Sequence, residues 1–474
     1  MEEVYMYKGN DVIRDQEIQE ALAYGKRTAS DTLAVQRVVE KAKLAKGLTF
    51  EEAAVLIQVE DPAILAQMAE AAKSVKEAIY GRRIVMFAPL YVGNYCVNQC
   101  KYCGYQAGNK ELTRRRLELE EIDGEIEALL ALGHKRIVLE AGEDPLRHPI
   151  EYILDCMERI YAYRSTKGEN IRRINVNIAA TTAEEYRKLK DAGIGTYILF
   201  QESYHRPTYE AMHPAGPKAN YDWHTTAMHR AMEGGIDDVG CGVLFGLYDH
   251  RYETIAMLMH AEHLEKTMGV GPHTLSVPRL RPAVGVTMAE YPHLVSDEEF
   301  KKIVMVLRLA VPYAGLILST REDPVLRDEI IALGVSQVSS GSCTGVGGYQ
   351  SSLEKDPAEK PQFEVGDHRT PEEMIQQLCE NGYIPSYCTA CYREGRTGDR
   401  FMELAKSGQI QNVCQPNALL TLEEYLLDHA DEATLKVARP LLEKELETIP
   451  DERIRELTKK RLAELKAGKR DLYF

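Results

Sequence analysis

The chain has 474 residues, 44 % of them hydrophobic and 28 % charged, which excludes a disordered or fibrous polypeptide and leaves room for two or three domains. Its formal net charge of -15 speaks against a nucleic-acid partner, because phosphate binding draws on clustered Lys and Arg. The N-terminus, MEEVYMYKGN, lacks a basic-then-apolar pattern, and no run approaches the ~18 apolar residues that span a bilayer, so a cytoplasmic protein with no membrane partner is expected.

Residues 1–80 read as a helical lead-in. TASDTLAVQRVVEKAKLAKG runs to Gly47, and LTFEEAAVLIQVED then pairs Thr49 with Glu52 as a capping box. From about residue 83 short apolar runs alternate with amphipathic helices. The runs are 83–92, 136–143, 172–180, 195–203, 237–246, 273–282, 313–323 and 335–343. Among the helices between them, TTAEEYRKLKDAG carries a second capping pair, Thr182 and Glu185. Eight strands separated by helix-sized segments predict an α/β fold, a (β/α)8 TIM-type barrel over residues 81–345. The alternative, an open doubly wound sheet, lacks a G-x-G-x-x-G turn at its first helix.

After residue 345 the stretch GVGGYQSSLEKDPAEKPQFEVGDHRT reads as a surface linker. It leads into a mostly helical, cluster-binding C-terminal domain, 346–474, whose last helices are charged and solvated. In a barrel the reactive groups belong at the C-terminal ends of the strands. Glu143 closes the second strand, Glu202 the fourth and Arg321 the seventh, as that rule asks.

Ten cysteines in a cytoplasmic chain read as metal ligands or reactive thiols rather than disulfides. Cys156, Cys241, Cys343 and Cys379 are scattered and read as small buried hydrophobes. Two groups are not scattered. NYCVNQCKYCGY places Cys96, Cys100 and Cys103 on the loop after the first strand, and SYCTACYREG with a later NVCQPN supplies Cys388, Cys391 and Cys414. Thiolates suit zinc, copper(I) or iron–sulfur clusters. Three cysteines can hold three irons of a cubane and leave the fourth open to a small molecule. For the second group, a zinc site completed by a histidine stands beside an auxiliary cluster with an open iron.

The C-x3-C-x2-C spacing, with Tyr102 before the last cysteine and a strand before the loop, resembles the radical S-adenosylmethionine (SAM) enzymes. That resemblance implies a 4Fe-4S cluster on Cys96, Cys100 and Cys103 whose fourth iron chelates SAM, and reduction that yields a 5'-deoxyadenosyl radical. EAGEDP resembles the family segment that holds the methionyl amino group, so Gly142 and Glu143 are carried over as SAM contacts and Tyr102 as a neighbour of the adenine. Asn177 and Glu202 are candidates for the ribose, or else local hydrogen bonds at the barrel top.

With the C-x2-C-x22-C group and the stretches LFQESYHRPTYEAMHPAGP, GVGPHTLSVPRLRP and QVSSGSCTGVGGY, the chain resembles the tyrosine lyases of FeFe-hydrogenase maturation. The resemblance implies cleavage of the Cα–Cβ bond of L-tyrosine to p-cresol and dehydroglycine. Carbon monoxide and cyanide would then form on an additional iron of an auxiliary 4Fe-4S cluster, with cysteine as an iron ligand. Partners would be other hydrogenase maturation proteins and an electron donor.

Arg321 is expected to bind the tyrosine carboxylate and Ser340 to add a hydrogen bond. His273 matches the family's ligand to the extra iron, although its position alone reads as a strand-start histidine capping backbone. It begins the sixth strand, which puts the second cysteine group at the opposite mouth from the first. The interior is therefore expected to be open, with Arg279 and Arg281 holding an anionic fragment in transit. Two rivals remain: the thiazole-pathway 2-iminoacetate synthase, which makes the same cut, and a non-catalytic iron–sulfur carrier or scaffold.

Overall fold

The computed structural model describes residues 7–354 and 361–474. Eight parallel strands close on themselves: β1 (Arg83–Gly93), β2 (Arg136–Ala141), β3 (Arg173–Asn177), β4 (Tyr197–Glu202), β5 (Val239–Val243), β6 (Thr274–Ser276), β7 (Gly315–Leu318) and β8 (Gln337–Ser339). Closure runs through β1, which pairs Ala88 with Ile137 on one side and Val85 with Gln337 on the other. Near-continuous apolar runs such as Ile84–Val92 fit strands buried on both faces, as a parallel barrel sheathed by helices demands. The (β/α)8 barrel read from the sequence is the fold, flanked by helices at both chain ends.

The strand expected over 273–282 is regular only across Thr274–Ser276. Pro278 and Pro282 have no N–H to give a ladder, so the chain runs on with one isolated bridge, Phe245 to Arg279. A ninth strand, β9 (Ile384–Ser386), was not foreseen; it adds in parallel to the N-terminal end of β1, pairing Arg83–Val85.

The lead-in forms helices Asp15–Thr28, Thr32–Ala42, Phe50–Leu56 and Pro62–Tyr80. The expected capping box is present: Glu52 N–H donates to Thr49 Oγ1 at 3.3 Å and Thr49 N–H to Glu52 Oε2 at 3.0 Å. At Thr182 the side chain accepts from Glu185 N–H at 3.2 Å. The last of these helices packs on the barrel helix Asp297–Ala310. Among the described residues no helix is long and apolar enough to cross a membrane.

The stretch read as a surface linker is stitched to the barrel rim instead. It contains the helix Gly348–Glu354, and Gln362 N–H donates to Thr344 O, Glu364 N–H to Pro282 O and Gly366 N–H to Thr320 O. Asp367 forms a buried ion pair with Arg327. Its Gly, Pro and charge content mimics a solvated loop because its backbone finds partners in other loops, which composition does not reveal. Residues 355–360 of that stretch lie outside the described residues.

Candidate functional site

The first cysteine triplet sits where β1 ends. Its loop is pinned along its length: Val97 N–H donates to Glu143 O, Gln99 N–H to Ala215 O and Lys101 N–H to Met212 O. Arg114 donates to the carbonyls of Asn94 and Tyr105. Cys100 is buried and Cys96 and Cys103 are half-buried. Donors face the sulfurs, with Tyr105 N–H 3.4 Å from Cys103 Sγ, Gln362 Nε2 3.8 Å from the same atom and Asn98 Nδ2 3.8 Å from Cys96 Sγ. Such donors stabilise metal-bound thiolates.

Burial pushes the Cys103 thiol up to about 11 and raises that of Cys100 too, so these thiolates call for a cation. Among the described residues no three His, Cys, Asp or Glu side chains converge tightly enough for one metal ion. A multi-iron cluster spreads its thiolates over separate irons and asks less convergence, so the donor set fits that group.

Above the barrel opens a cavity of about 210 Å³ lined by all three cysteines and by the C-terminal ends of the strands. Its floor is an apolar layer of Phe87, Val138, Ile198 and Ile317, with Phe200 packed against it. Arg321 reaches the cavity with its guanidinium 3.4 Å from the centre of the Phe363 ring, and among the described residues no carboxylate pairs with it. Burial pushes the Glu140 carboxyl up to about 8 against the opposing charge of Arg321, and Asn177 Nδ2 donates to it at 3.2 Å.

Glu202 closes β4 on a register shift with φ at +67°, a left-handed conformation that costs a non-glycine residue about 1–3 kcal/mol. That backbone sends its side chain to Lys218 Nζ at 2.7 Å, a largely buried ion pair. Burial opposes the charge on Lys218, yet Glu202 and Cys100 hold its ammonium above the ordinary lysine range. Tyr102 is buried, with its hydroxyl 2.8 Å from His213 Nε2. At Gly142 a Cβ would lie 2.3 Å from Tyr95 O, so only glycine lets the two chain segments meet. The carbonyl of Gly142 faces His148 Nδ1 at 2.8 Å and that of Glu143 accepts from Val97 N–H at 2.8 Å, leaving each a second lone pair.

Two expectations slip by one residue. Ser340 does not line the cavity; Ser339, its neighbour on β8, does, because successive side chains of a strand face opposite ways. Past the end of β6, Pro278 and Leu280 face the cavity, and Arg279 and Arg281 do not. Both arginines bond Glu322 behind the rim, and Arg279 also binds Asp297 at 2.8 Å, so neither is free to hold a fragment in transit.

The second triplet lies at the N-terminal mouth. Cys388 and Cys391 follow β9, and Cys414 sits in the first turn of the helix Gln411–Asp428. Together with His273, Arg83, Arg136, Gln337, Tyr392 and Phe401 they line a cavity of about 40 Å³. Burial pushes the Cys414 thiol up to about 12, and Ala390 N–H lies 3.5 Å from Cys388 Sγ. His273 packs 4.3 Å from the Phe401 ring, centre to centre, with Nδ1 unbonded and 3.6 Å from Asp238 Oδ1. Burial lowers it to about 4, so it is a neutral imidazole at pH 7, the form that ligates metals.

The interior is not the open passage expected. Val85, Arg136 and Gln337 line the lower cavity; two residues further along the same strands, Phe87, Val138 and Ser339 line the upper one. A single apolar layer separates them.

Lys218, Asn98, Gln362 and Phe363 were missed by sequence reading. Lys218 follows HPAGP in a loop with no strand-end position to mark it. Gln362 and Phe363 lie in the stretch read as a linker.

Residues 90–261 match the family described as the Radical SAM superfamily, and residues 276–384 match the Biotin and Thiamin Synthesis associated domain. The chain is 30 % identical to the 2-iminoacetate synthase of Escherichia coli (strain K12) over 73 % of its own length and 89 % of that protein. A crystal structure of HydG, a maturase of the FeFe-hydrogenase, superposes with a TM-score of 0.94 at 58 % identity, covering 98 % of this chain and 100 % of that one. The maturase HydG from Carboxydothermus hydrogenoformans gives 0.82 at 38 %, covering 96 % and 100 %.

Proposed function

Since the chain belongs to the radical SAM superfamily and, within it, to the family of the FeFe-hydrogenase maturase HydG, we propose that it is a tyrosine lyase making p-cresol and dehydroglycine at one mouth of the barrel, and carbon monoxide and cyanide at the other. The observation that carries this reading is the pair of cysteine triplets on opposite mouths, the upper beside the unpaired cation Arg321. Its cofactors are SAM, a 4Fe-4S cluster on Cys96, Cys100 and Cys103, and an auxiliary 4Fe-4S cluster with an additional iron on Cys388, Cys391, Cys414 and His273. When bound, the upper cluster supplies the electron that splits the SAM sulfonium and yields the 5'-deoxyadenosyl radical.

The chain's own residues do the rest by binding, orientation and exclusion of water. Gly142 and Glu143 offer their spare carbonyl lone pairs to the methionyl amino group. Tyr102, Asn177 and Glu202 border the nucleoside, with Lys218 keeping the Glu202 carboxylate in place. Arg321, braced on Phe363, takes the tyrosine carboxylate, and the apolar floor keeps water from the radical. Asp238 places a carboxylate oxygen 3.6 Å from His273 Nδ1 at the lower site. The lower cavity, about 40 Å³ in volume, is lined by the second triplet and His273 together. Dehydroglycine would reach it when side chains of the intervening layer rotate. Cysteine as iron ligand, an electron donor and other hydrogenase maturation proteins complete the set of partners.

Anaerobic reconstitution with tyrosine and SAM, assaying p-cresol, cyanide and carbon monoxide together, tests the reading. All three products are expected. p-Cresol without carbon monoxide would place the chain with the 2-iminoacetate synthases, and absence of 5'-deoxyadenosine would leave only an iron–sulfur carrier.

A further inference from the structure

Arg83, Arg136 and Arg173 are the first residues of β1, β2 and β3, three neighbouring strands of the barrel. The sequence repeats itself there as Arg-Ile-Val, Arg-Ile-Val and Arg-Ile-Asn. Arg136 and Arg173 are direct partners in the ladder, so the guanidiniums start side by side at the N-terminal mouth. Arg136 and Arg173 are 6 % and 2 % exposed, and Arg83 is half-buried.

Three strongly basic groups held this deep need anions, because a buried charge is normally paired or bound to metal. Among the described residues none of the three has a carboxylate at ion-pair distance. Arg136 donates to Cys388 O at 2.9 Å; Arg173 donates to Asn175 Oδ1 at 2.7 Å and Thr196 Oγ1 at 2.8 Å and stacks on Tyr392, the residue after Cys391. Arg83 lies over the Tyr80 ring, 5.3 Å from its centre. All these acceptors and rings are neutral. One N–H group on each arginine, Nε of Arg83, Nε of Arg136 and Nη1 of Arg173, is buried without a hydrogen-bond partner.

The anions on offer are the thiolates of Cys388, Cys391 and Cys414, which line the same small cavity as Arg83 and Arg136. Among the described residues Asp238 is the carboxylate beside His273, its Oδ1 accepting from Gly398 N–H at 3.1 Å, and His273, Tyr80 and Tyr392 are further titratable groups at the cavity. One carboxylate against three guanidiniums leaves the positive charge in excess until the thiolates and what they bind are counted.

We propose that Arg83, Arg136 and Arg173 form a cationic floor for the cluster held by the second cysteine triplet, raising its reduction potential by favouring the more negative, reduced form. The proposal rests on reading that triplet as a cluster site. The potential of such a cluster follows its net charge, nearby hydrogen bonds and burial, and this floor adds buried positive charge beside the thiolates. The arginines are positioning residues: they act on the metal centre through its thiolates and touch no substrate.

The test uses the full chain reconstituted anaerobically with iron and sulfide, in wild type, Arg136→Gln, Arg173→Gln and the charge-keeping Arg136→Lys. Electron paramagnetic resonance during a redox titration reads both clusters, the one on Cys96, Cys100 and Cys103 serving as the internal reference. The glutamine variants should shift the second midpoint to more negative potential and leave the first unmoved, and Arg136→Lys should restore most of the shift. Loss of iron from the second triplet in Arg136→Gln but not in Arg136→Lys would support the same role of charge. An unmoved second midpoint at intact iron content, or equal loss in the lysine and glutamine variants, overturns the proposal. Wild-type iron content unchanged by Cys388→Ser would overturn the cluster reading itself, a result the arginine variants cannot mimic.

Discussion

At the C-terminal mouth Cys96, Cys100 and Cys103 share one loop, their neighbouring cation Lys218 is already neutralised by Glu202, and the space beside them is about 210 Å³. At the N-terminal mouth Cys388, Cys391 and Cys414 come from two segments joined only by folding, Arg83 and Arg136 line the same cavity with no carboxylate at ion-pair distance among the described residues, and the space is about 40 Å³. The upper site keeps one cation, Arg321, without a carboxylate partner among the described residues, and its cavity is the roomier of the two. The lower site is cationic and its open space is small. Barrels keep chemistry at the C-terminal ends of strands and leave the other face to stability. Here an appended segment sets a second cysteine triplet against the face that barrels usually leave to stability.

Five experiments press on that contrast. The largest effects belong to the thiols. Cys96→Ser or Cys103→Ser should lower every product by more than about 100-fold, because the ligand itself is lost. Cys388→Ser or Cys391→Ser should leave p-cresol within about twofold and remove carbon monoxide and cyanide; parallel loss of all three, measured in one assay, would break the division between the mouths. Lys218→Met comes next. It leaves Glu202 buried without its partner and should destabilise the fold by about 3 kcal/mol, and Glu202→Gln in the same chain should recover much of that, read by thermal unfolding.

Arg321→Leu removes a charge-assisted contact of about 1.5–3 kcal/mol and should raise KM for tyrosine roughly 10- to 100-fold while SAM binding, followed by calorimetry, stays put. The last experiment reads pH dependence. Burial lifts Glu140 from 4.5 to about 8, so across that window the folded protein keeps a proton that the unfolded chain releases. Stability from this group is therefore full below about pH 4.5 and declines as pH rises through 8. Glu140→Gln should flatten that part of the unfolding-temperature profile; an unchanged slope would show the carboxyl is ionised in the fold.

Much of this architecture was legible. All eight barrel strands announced themselves, since parallel strands buried on both faces read as apolar runs. β9 did not: three residues, one of them proline, carry no periodic signal, and its pairing depends on a distant strand. The errors at the site share one cause. Ser340, Arg279 and Arg281 were placed near the right strand ends but on the wrong face, because without a register nothing says which of two adjacent residues points inward. Gln362 and Phe363 were hidden in a stretch whose composition resembles solvent-exposed chain.

The sequence by itself determined the candidate ligands and their order along the chain: two uneven cysteine triplets, the strand that precedes the first, and His273 at the foot of the sixth strand. It did so because thiolate spacing and apolar periodicity are local properties. Only the tertiary structure decided which side chains face the cavity, that one apolar layer parts the two sites, and that three strand-start arginines from distant segments meet beside the second triplet. Those facts depend on barrel closure and strand register, which long-range pairing sets and no short window of residues contains.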